Sequence, residues 1–140
     1  MKFKAYLLSA AFVTTLLSIT TAHAGNTTRV AATSALGSVV GTAIGKEMGG
    51  HSGAMIGAAV GGAGGAAAAS HKSDRTSAAI GGGLGGAGGY AAGRNMGGTS
   101  GGYIGSALGA AGGSALGNKI SQDNQKTNYK SHKRHKRHYR

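Results

Sequence analysis

From Leu36 onward, large aliphatic residues recur at intervals of four, each followed directly by a glycine. The aliphatic positions are Leu36, Val40, Ile44, Met48, Ile56 and Val60, then Ile80, Leu84, Met96, Ile104, Leu108 and Leu116. Glycines stand at Gly37, Gly41, Gly45, Gly49, Gly53, Gly57, Gly61 and Gly65. They return in the same frame at Gly81, Gly85, Gly89, Gly93, Gly97, Gly101, Gly105, Gly109, Gly113 and Gly117, and the small residues Ala69, Ser73 and Ser77 hold the frame between the two runs. Residues four apart lie on one face of a helix, one above the other. The pattern therefore predicts helices on which a bare row runs beside an aliphatic row. A period of four also keeps residues on one face of a strand. Abundant alanine, sparse β-branched and aromatic residues, and the segment lengths favour helix.

The pattern is duplicated. Residues 41–67 read GTAIGKEMGGHSGAMIGAAVGGAGGAA, and residues 89–115 read GYAAGRNMGGTSGGYIGSALGAAGGSA, an offset of 48 residues (89 − 41). Lys46 aligns with Arg94, Met48 with Met96 and Ile56 with Ile104. A repeat of this length signals one supersecondary unit used twice. Arg29, the Lys46-Glu47 pair, the stretch from His71 to Arg75, Arg94 and Lys119 bracket uncharged segments near 30–45, 48–70, 76–93 and 95–118. Such lengths lie near the ~17–25 residues that cross a bilayer core. Gly49-Gly50 and Gly97-Gly98, with the polar residues after them, read as turns.

The predicted fold is thus all-α: two tandem glycine-zipper helical hairpins, made of four short Gly/Ala-rich helices, ahead of a disordered basic C-terminal tail. The expected boundaries are a linker over 25–32, hairpins over 33–72 and 73–120, and a tail over 121–140.

Composition sharpens the picture. The 140 residues include 29 glycines and no proline, cysteine or tryptophan, and the phenylalanines, Phe3 and Phe12, both lie near the start. Mostly alanine is left to fill a core, whereas large buried side chains each stabilise by roughly 1.5–3 kcal/mol. Glycine in a water-exposed helix interior costs about 1 kcal/mol relative to alanine. An ordinary water-soluble globule is a poor fit. Helices that approach closely through glycine, as they do in lipid, fit better. Without cysteine the chain has neither a disulfide framework nor a site for cysteine lipidation.

Residues 1–24, MKFKAYLLSAAFVTTLLSITTAHA, place Lys2 and Lys4 before an apolar run and end in Ala22-His23-Ala24. This is the pattern of a secretory signal peptide. Cleavage is expected between Ala24 and Gly25. The whole chain carries +12, and removing two lysines leaves 13 basic and 3 acidic residues, a net of +10.

From Ser121 the composition changes to SQDNQKTNYKSHKRHKRHYR, without glycine. Lys130, Lys133, Arg134, Lys136, Arg137 and Arg140 form an expected anion-binding tail. Each basic residue near an anionic membrane contributes about 1 kcal/mol. His132, His135 and His138 recur every third residue among these cations, which would repel a metal ion. No metal site is expected there, and a tail that grows more positive as pH falls through ~6.5 is.

Catalysis has little to stand on. The acids after residue 24 are Glu47, Asp74 and Asp123, with no pair at a catalytic spacing. The Gly-x-Gly matches are trivial in this composition and follow no predicted strand. No enzyme activity, catalytic residue, cofactor or small-molecule substrate is expected.

The doubled GxxxGxxxG pattern over about 37–117, after a signal peptide, resembles the glycine-zipper envelope proteins of Gram-negative bacteria. These include the YmgG-like proteins and the 17 kDa surface-antigen type with its two-transmembrane zipper domain. The surface-antigen type carries a lipoprotein cysteine that this chain lacks, so lipid anchoring does not carry over. The resemblance implies an outer-membrane or periplasmic location and a structural or permeability role. The expected function is that of an exported, non-enzymatic envelope protein. Its zippers would pack or oligomerise in the membrane, and its tail would bind membrane lipid or lipopolysaccharide. Homo-oligomers are expected partners and nucleic acid is not. The alternative is a secreted, membrane-permeabilising peptide of the bacteriocin sort.

Overall fold

The computed structural model describes the backbone of residues 25–136 and the side chains of residues 25–127. The signal sequence with Ala24, and Arg137 and Arg140, lie outside the described residues, as do the side chains of Lys130, Lys133, Arg134 and Lys136. The described chain is helical throughout, with two long elements, α1 (Asn26–Ala69) and α2 (Arg75–Lys136), and a short linker.

This corrects the expected count of four short helices: the elements are 44 and 62 residues long. Each is interrupted once. Gly49 (φ −141°, ψ 20°) and Gly50 (φ 59°, ψ −131°) leave helical geometry in α1, and Gly97 and Gly98 (φ 62°, ψ −144°) do so in α2. The helix resumes at once, so His51 and Ser52, expected in a turn, are helical. A positive φ with strongly negative ψ is open to glycine and strained for residues with a Cβ. Two glycines suffice to reverse the chain, and no longer loop is required.

Two further boundaries move. Residues 26–32, read as a linker, form the first turns of α1, beginning at Asn26 after the N-cap Gly25. The tail, expected to be disordered from Ser121, continues α2 to Lys136. Its composition explains this: the last glycine is Gly117, proline is absent, and Gln, Lys and Arg are good helix formers.

Each element doubles back at its kink, and the glycine row lies between the two arms. In α1, Gly37 faces Gly61, Gly41 faces Gly57 and Gly45 faces Gly53; in α2, Gly81, Gly85, Gly89 and Gly93 face Gly113, Gly109, Gly105 and Gly101. The arms are therefore antiparallel and in fixed register. A Cβ placed on any of these glycines would collide with its partner's carbonyl oxygen. The glycine Hα takes that direction instead, so each pair makes reciprocal Cα–H···O=C contacts of the kind found at close helix crossings.

A second row joins α1 to α2. The residue after each zipper glycine is buried along almost the whole bundle: Val30, Ser34, Ser38 and Thr42; Ala54, Ala58, Gly62 and Ala66; Ala78, Gly82, Gly86 and Tyr90; Gly102, Ser106, Ala110, Ser114 and Asn118. These side chains are small because four helices meet along them. The Ser34 hydroxyl donates to the carbonyls of Gly62 (2.8 Å) and Ala110 (3.1 Å), and that of Ser38 donates to the Ser106 carbonyl (3.2 Å). On the other side of the bundle a Cβ on Gly82 would meet the Gly62 carbonyl at 2.7 Å, and one on Gly86 the Ala58 carbonyl at 2.6 Å.

The offset of 48 residues reappears in three dimensions. Adding 48 to the pair Gly62–Gly82 in crosswise order gives Ala110–Ser34, the equivalent contact. The two units are thus related by a pseudo-twofold axis along the bundle. Residues equivalent by sequence meet near it: the Ser34 hydroxyl fills the space over Gly82, and that of Ser38 the space over Gly86. The main departure from the symmetry is Tyr90, which occupies the place of Thr42 in the other unit and is fully buried.

Candidate functional site

The outward rows complete the arrangement. Val40, Ile44, Met48, Ile56 and Val60 on α1, and Ile80, Leu84, Met96, Ile104, Leu108, Leu116 and Ile120 on α2, are all at least half exposed, Leu84 by 73% and Leu108 by 70%. On α1 they wall an apolar groove whose floor is the zipper from Gly37 to Gly61. On the opposite side of the bundle, Ile80, Leu84, Leu116 and Ile120 wall the corresponding groove over Gly81, Gly85, Gly113 and Gly117. Inside lie hydroxyls, glycine and alanine. Polarity is inverted relative to a water-soluble protein: the largest aliphatic side chains point out, and Ser34, Ser38, Thr42, Ser106, Ser114 and Asn118 are fully buried.

The inner hydroxyls satisfy themselves on backbone. Thr42 donates to the Ser38 carbonyl (2.6 Å), Ser106 to that of Tyr103 (2.8 Å) and Ser114 to that of Ala111 (3.1 Å). Asn118 donates through Nδ2 to Thr27 (3.2 Å), and its Oδ1 is buried without a partner.

Charge is confined to the two ends. At the kinked end stand Lys46, Glu47, His51 and Arg94. The Tyr90 hydroxyl lies 3.4 Å from His51 Nδ1 and accepts from Arg94 at 3.4 Å, and Lys46 Nζ lies 5.9 Å from the centre of the Tyr103 ring. At the other end are Arg29, Lys72, Asp74, Arg75 and Lys119, and from it the tail helix extends. Asp74 fastens that helix. Its carbonyl accepts the first helical bond of α2, from Ala78 (2.9 Å). Its carboxylate, nearly buried, accepts from Ser121 Oγ (2.8 Å) and Gln125 Nε2 (2.7 Å).

The zipper glycines named from sequence are therefore brought together, except Gly49 and Gly97, which lie in the kinks with open space around them. Gly65 and Gly117 close on the backbones of Thr33 and Ser77 rather than on glycine. Gly25, at the expected cleavage point, is the N-cap of α1. The inner row was missed. Its signal was present: one residue after each glycine, the same period of four holds only small residues apart from Val30, Tyr90 and Asn118. Among the described residues no cluster of His, Asp and Glu is placed to hold a metal ion. By length and composition, α1 is apolar enough to cross a membrane. Comparison with family models, curated proteins and solved structures found no match.

Proposed function

We propose that this chain is an exported, non-enzymatic envelope protein whose kinked helices sit across a bilayer as two tandem glycine-zipper hairpins, with the basic tail gripping an anionic surface. The observation that carries the reading is the inverted polarity. In water, burying a large aliphatic side chain stabilises by roughly 1.5–3 kcal/mol, and a soluble monomer seldom leaves so many exposed in two continuous faces. In lipid those faces are solvated, and close packing through glycine supplies the association that the hydrophobic effect does not.

Dimensions support it. From Arg29 to Lys46 is about 26 Å of helix, and from Arg75 to Arg94 about 28 Å, at 1.5 Å per residue. A bilayer hydrocarbon core is about 30 Å thick, and the bacterial outer membrane is thinner than average. The signal-peptide pattern and the resemblance to glycine-zipper envelope proteins point to the outer membrane or periplasm. The +10 mature charge is concentrated at the tail end, where lipopolysaccharide or anionic lipid would be its partner.

Vesicle flotation tests the two parts separately. The mature chain and a version ending at Lys119 are mixed with phosphatidylethanolamine vesicles, with and without phosphatidylglycerol. Both should float in all cases, with the tail adding salt-sensitive binding only where anionic lipid is present. A mature chain that stays in the aqueous fraction of both preparations contradicts membrane insertion.

A further inference from the structure

Most glycines in this bundle have a steric reason to be glycine, but Gly64, Gly88 and Gly112 do not. They lie inside helical arms, they are exposed, and a Cβ on any of them would meet nothing within 4 Å. Each forgoes about 1 kcal/mol of helix propensity relative to alanine with no return inside the chain. Two of them lie on one surface, the outer face of α2. There Leu84 is followed one turn later by Gly88 on one arm, and Leu108 by Gly112 on the other, antiparallel arm. The zipper fixes their register: Gly85 packs against Gly113 and Gly89 against Gly109. Leu84 thus stands across the groove from Gly112, and Leu108 across from Gly88.

Those four positions form a checkerboard of two knobs and two notches. A twofold rotation that lays this face on a copy of itself puts each leucine over a glycine, whether the axis runs along the bundle or across it. The face is therefore self-complementary, as an isologous dimer interface must be. The outer face of α1 is not. There the residues across the groove match in bulk, Ile44 with Ile56 and Val40 with Val60, so a copy would set ridge on ridge.

We propose that the outer face of α2 is a homodimer interface, in which Leu84 and Leu108 of one copy seat in the Gly112 and Gly88 notches of another. The proposal rests on the bilayer reading and refines it, because small residues at an interface are what lets helices associate in lipid. A face two helices wide and about 28 Å long covers roughly 550 Å² per copy at ~10 Å per helix, or about 1,100 Å² in all. That exceeds the roughly 1,000 Å² a specific interface needs. Hydropathy agrees with the choice of face. Among the described residues α1 is the element apolar enough to be read as a membrane span, so the glycine-gapped face of α2 gains more from being covered.

The test uses the mature chain, which has no cysteine, labelled at Ser100→Cys with donor or acceptor dye and reconstituted together in phosphatidylethanolamine–phosphatidylglycerol vesicles. Energy transfer should persist on dilution with lipid. It should be lost in Gly88→Leu/Gly112→Leu, which fills both notches where nothing inside the chain is displaced, and kept in Gly64→Leu on the α1 face. Circular dichroism of the floated protein checks that the helices remain. A labelled chain that floats but shows no transfer, or transfer unaffected by filling the notches, overturns the dimer and leaves the bilayer reading standing. A chain that does not float overturns both.

Discussion

Gly41 and Gly57 face each other across the first hairpin so closely that each directs an Hα at the other's carbonyl oxygen, and neither leaves room for a methyl group. Gly64, one turn and a half further along the same arm, faces open space. The two kinds of glycine should respond oppositely to the same substitution. Gly41→Ala forces the arms apart against backbone, and overpacking of this kind costs about 1–3 kcal/mol. Gly64→Ala gains helix propensity and should stabilise by up to about 1 kcal/mol. Unfolding by denaturant in detergent micelles, followed by circular dichroism, measures both; equal effects of one sign would contradict the register.

Tyr90 makes a sharper test of the pseudo-twofold relation. Its ring lies where a Cβ on Gly102 would fall, 2.7 Å from Cε2. The equivalent residues in the other unit are Thr42 and Ala54, which coexist with a Cβ at the second position. Gly102→Ala should therefore destabilise the wild-type chain, by about 1–3 kcal/mol. In a Tyr90→Thr background it should cost much less. The double-mutant cycle should give a coupling of at least about 0.5 kcal/mol, the size seen for residues in contact. Additive effects would mean that the two sites do not touch.

How far the sequence goes can be judged from these rows. The zipper was legible because close backbone approach tolerates only glycine, so the contact is written residue by residue at Gly37, Gly41, Gly45 and their partners. The reversals were legible for a related reason: Gly50 and Gly98 adopt φ near +60°, which suits glycine. The inner row was not, because Ser34, Ala58 or Ser114 is an ordinary residue on any helix and becomes informative only once four helices share an axis. The tail was misjudged because charge was weighed above propensity. A run lacking glycine and proline continues a helix already nucleated upstream, and Ser121 and Gln125 are tied back to Asp74.

That tie yields its own prediction. Asp74→Ala removes the acceptor for both Ser121 and Gln125 and should loosen the tail helix without unpacking the zippers. Amide hydrogen exchange over residues 119–127 should accelerate several-fold, the expected consequence of losing hydrogen bonds to a charged acceptor worth about 1.5–3 kcal/mol each. Exchange within 81–113 should be unchanged. Protection that stays the same over 119–127 would show that the tail helix holds without Asp74.

The central claim, that aliphatic rows around a glycine-packed interior face lipid, is tested most directly in the native envelope. Membranes from cells producing the full chain, or a version ending at Lys119, are washed with sodium carbonate and then with high salt. The account predicts that both proteins remain in the pellet, because the zipper arms are inserted and the tail only adds to surface binding. Release of both into the wash would contradict it, and would mean that the exposed aliphatic rows are covered by protein rather than by a bilayer.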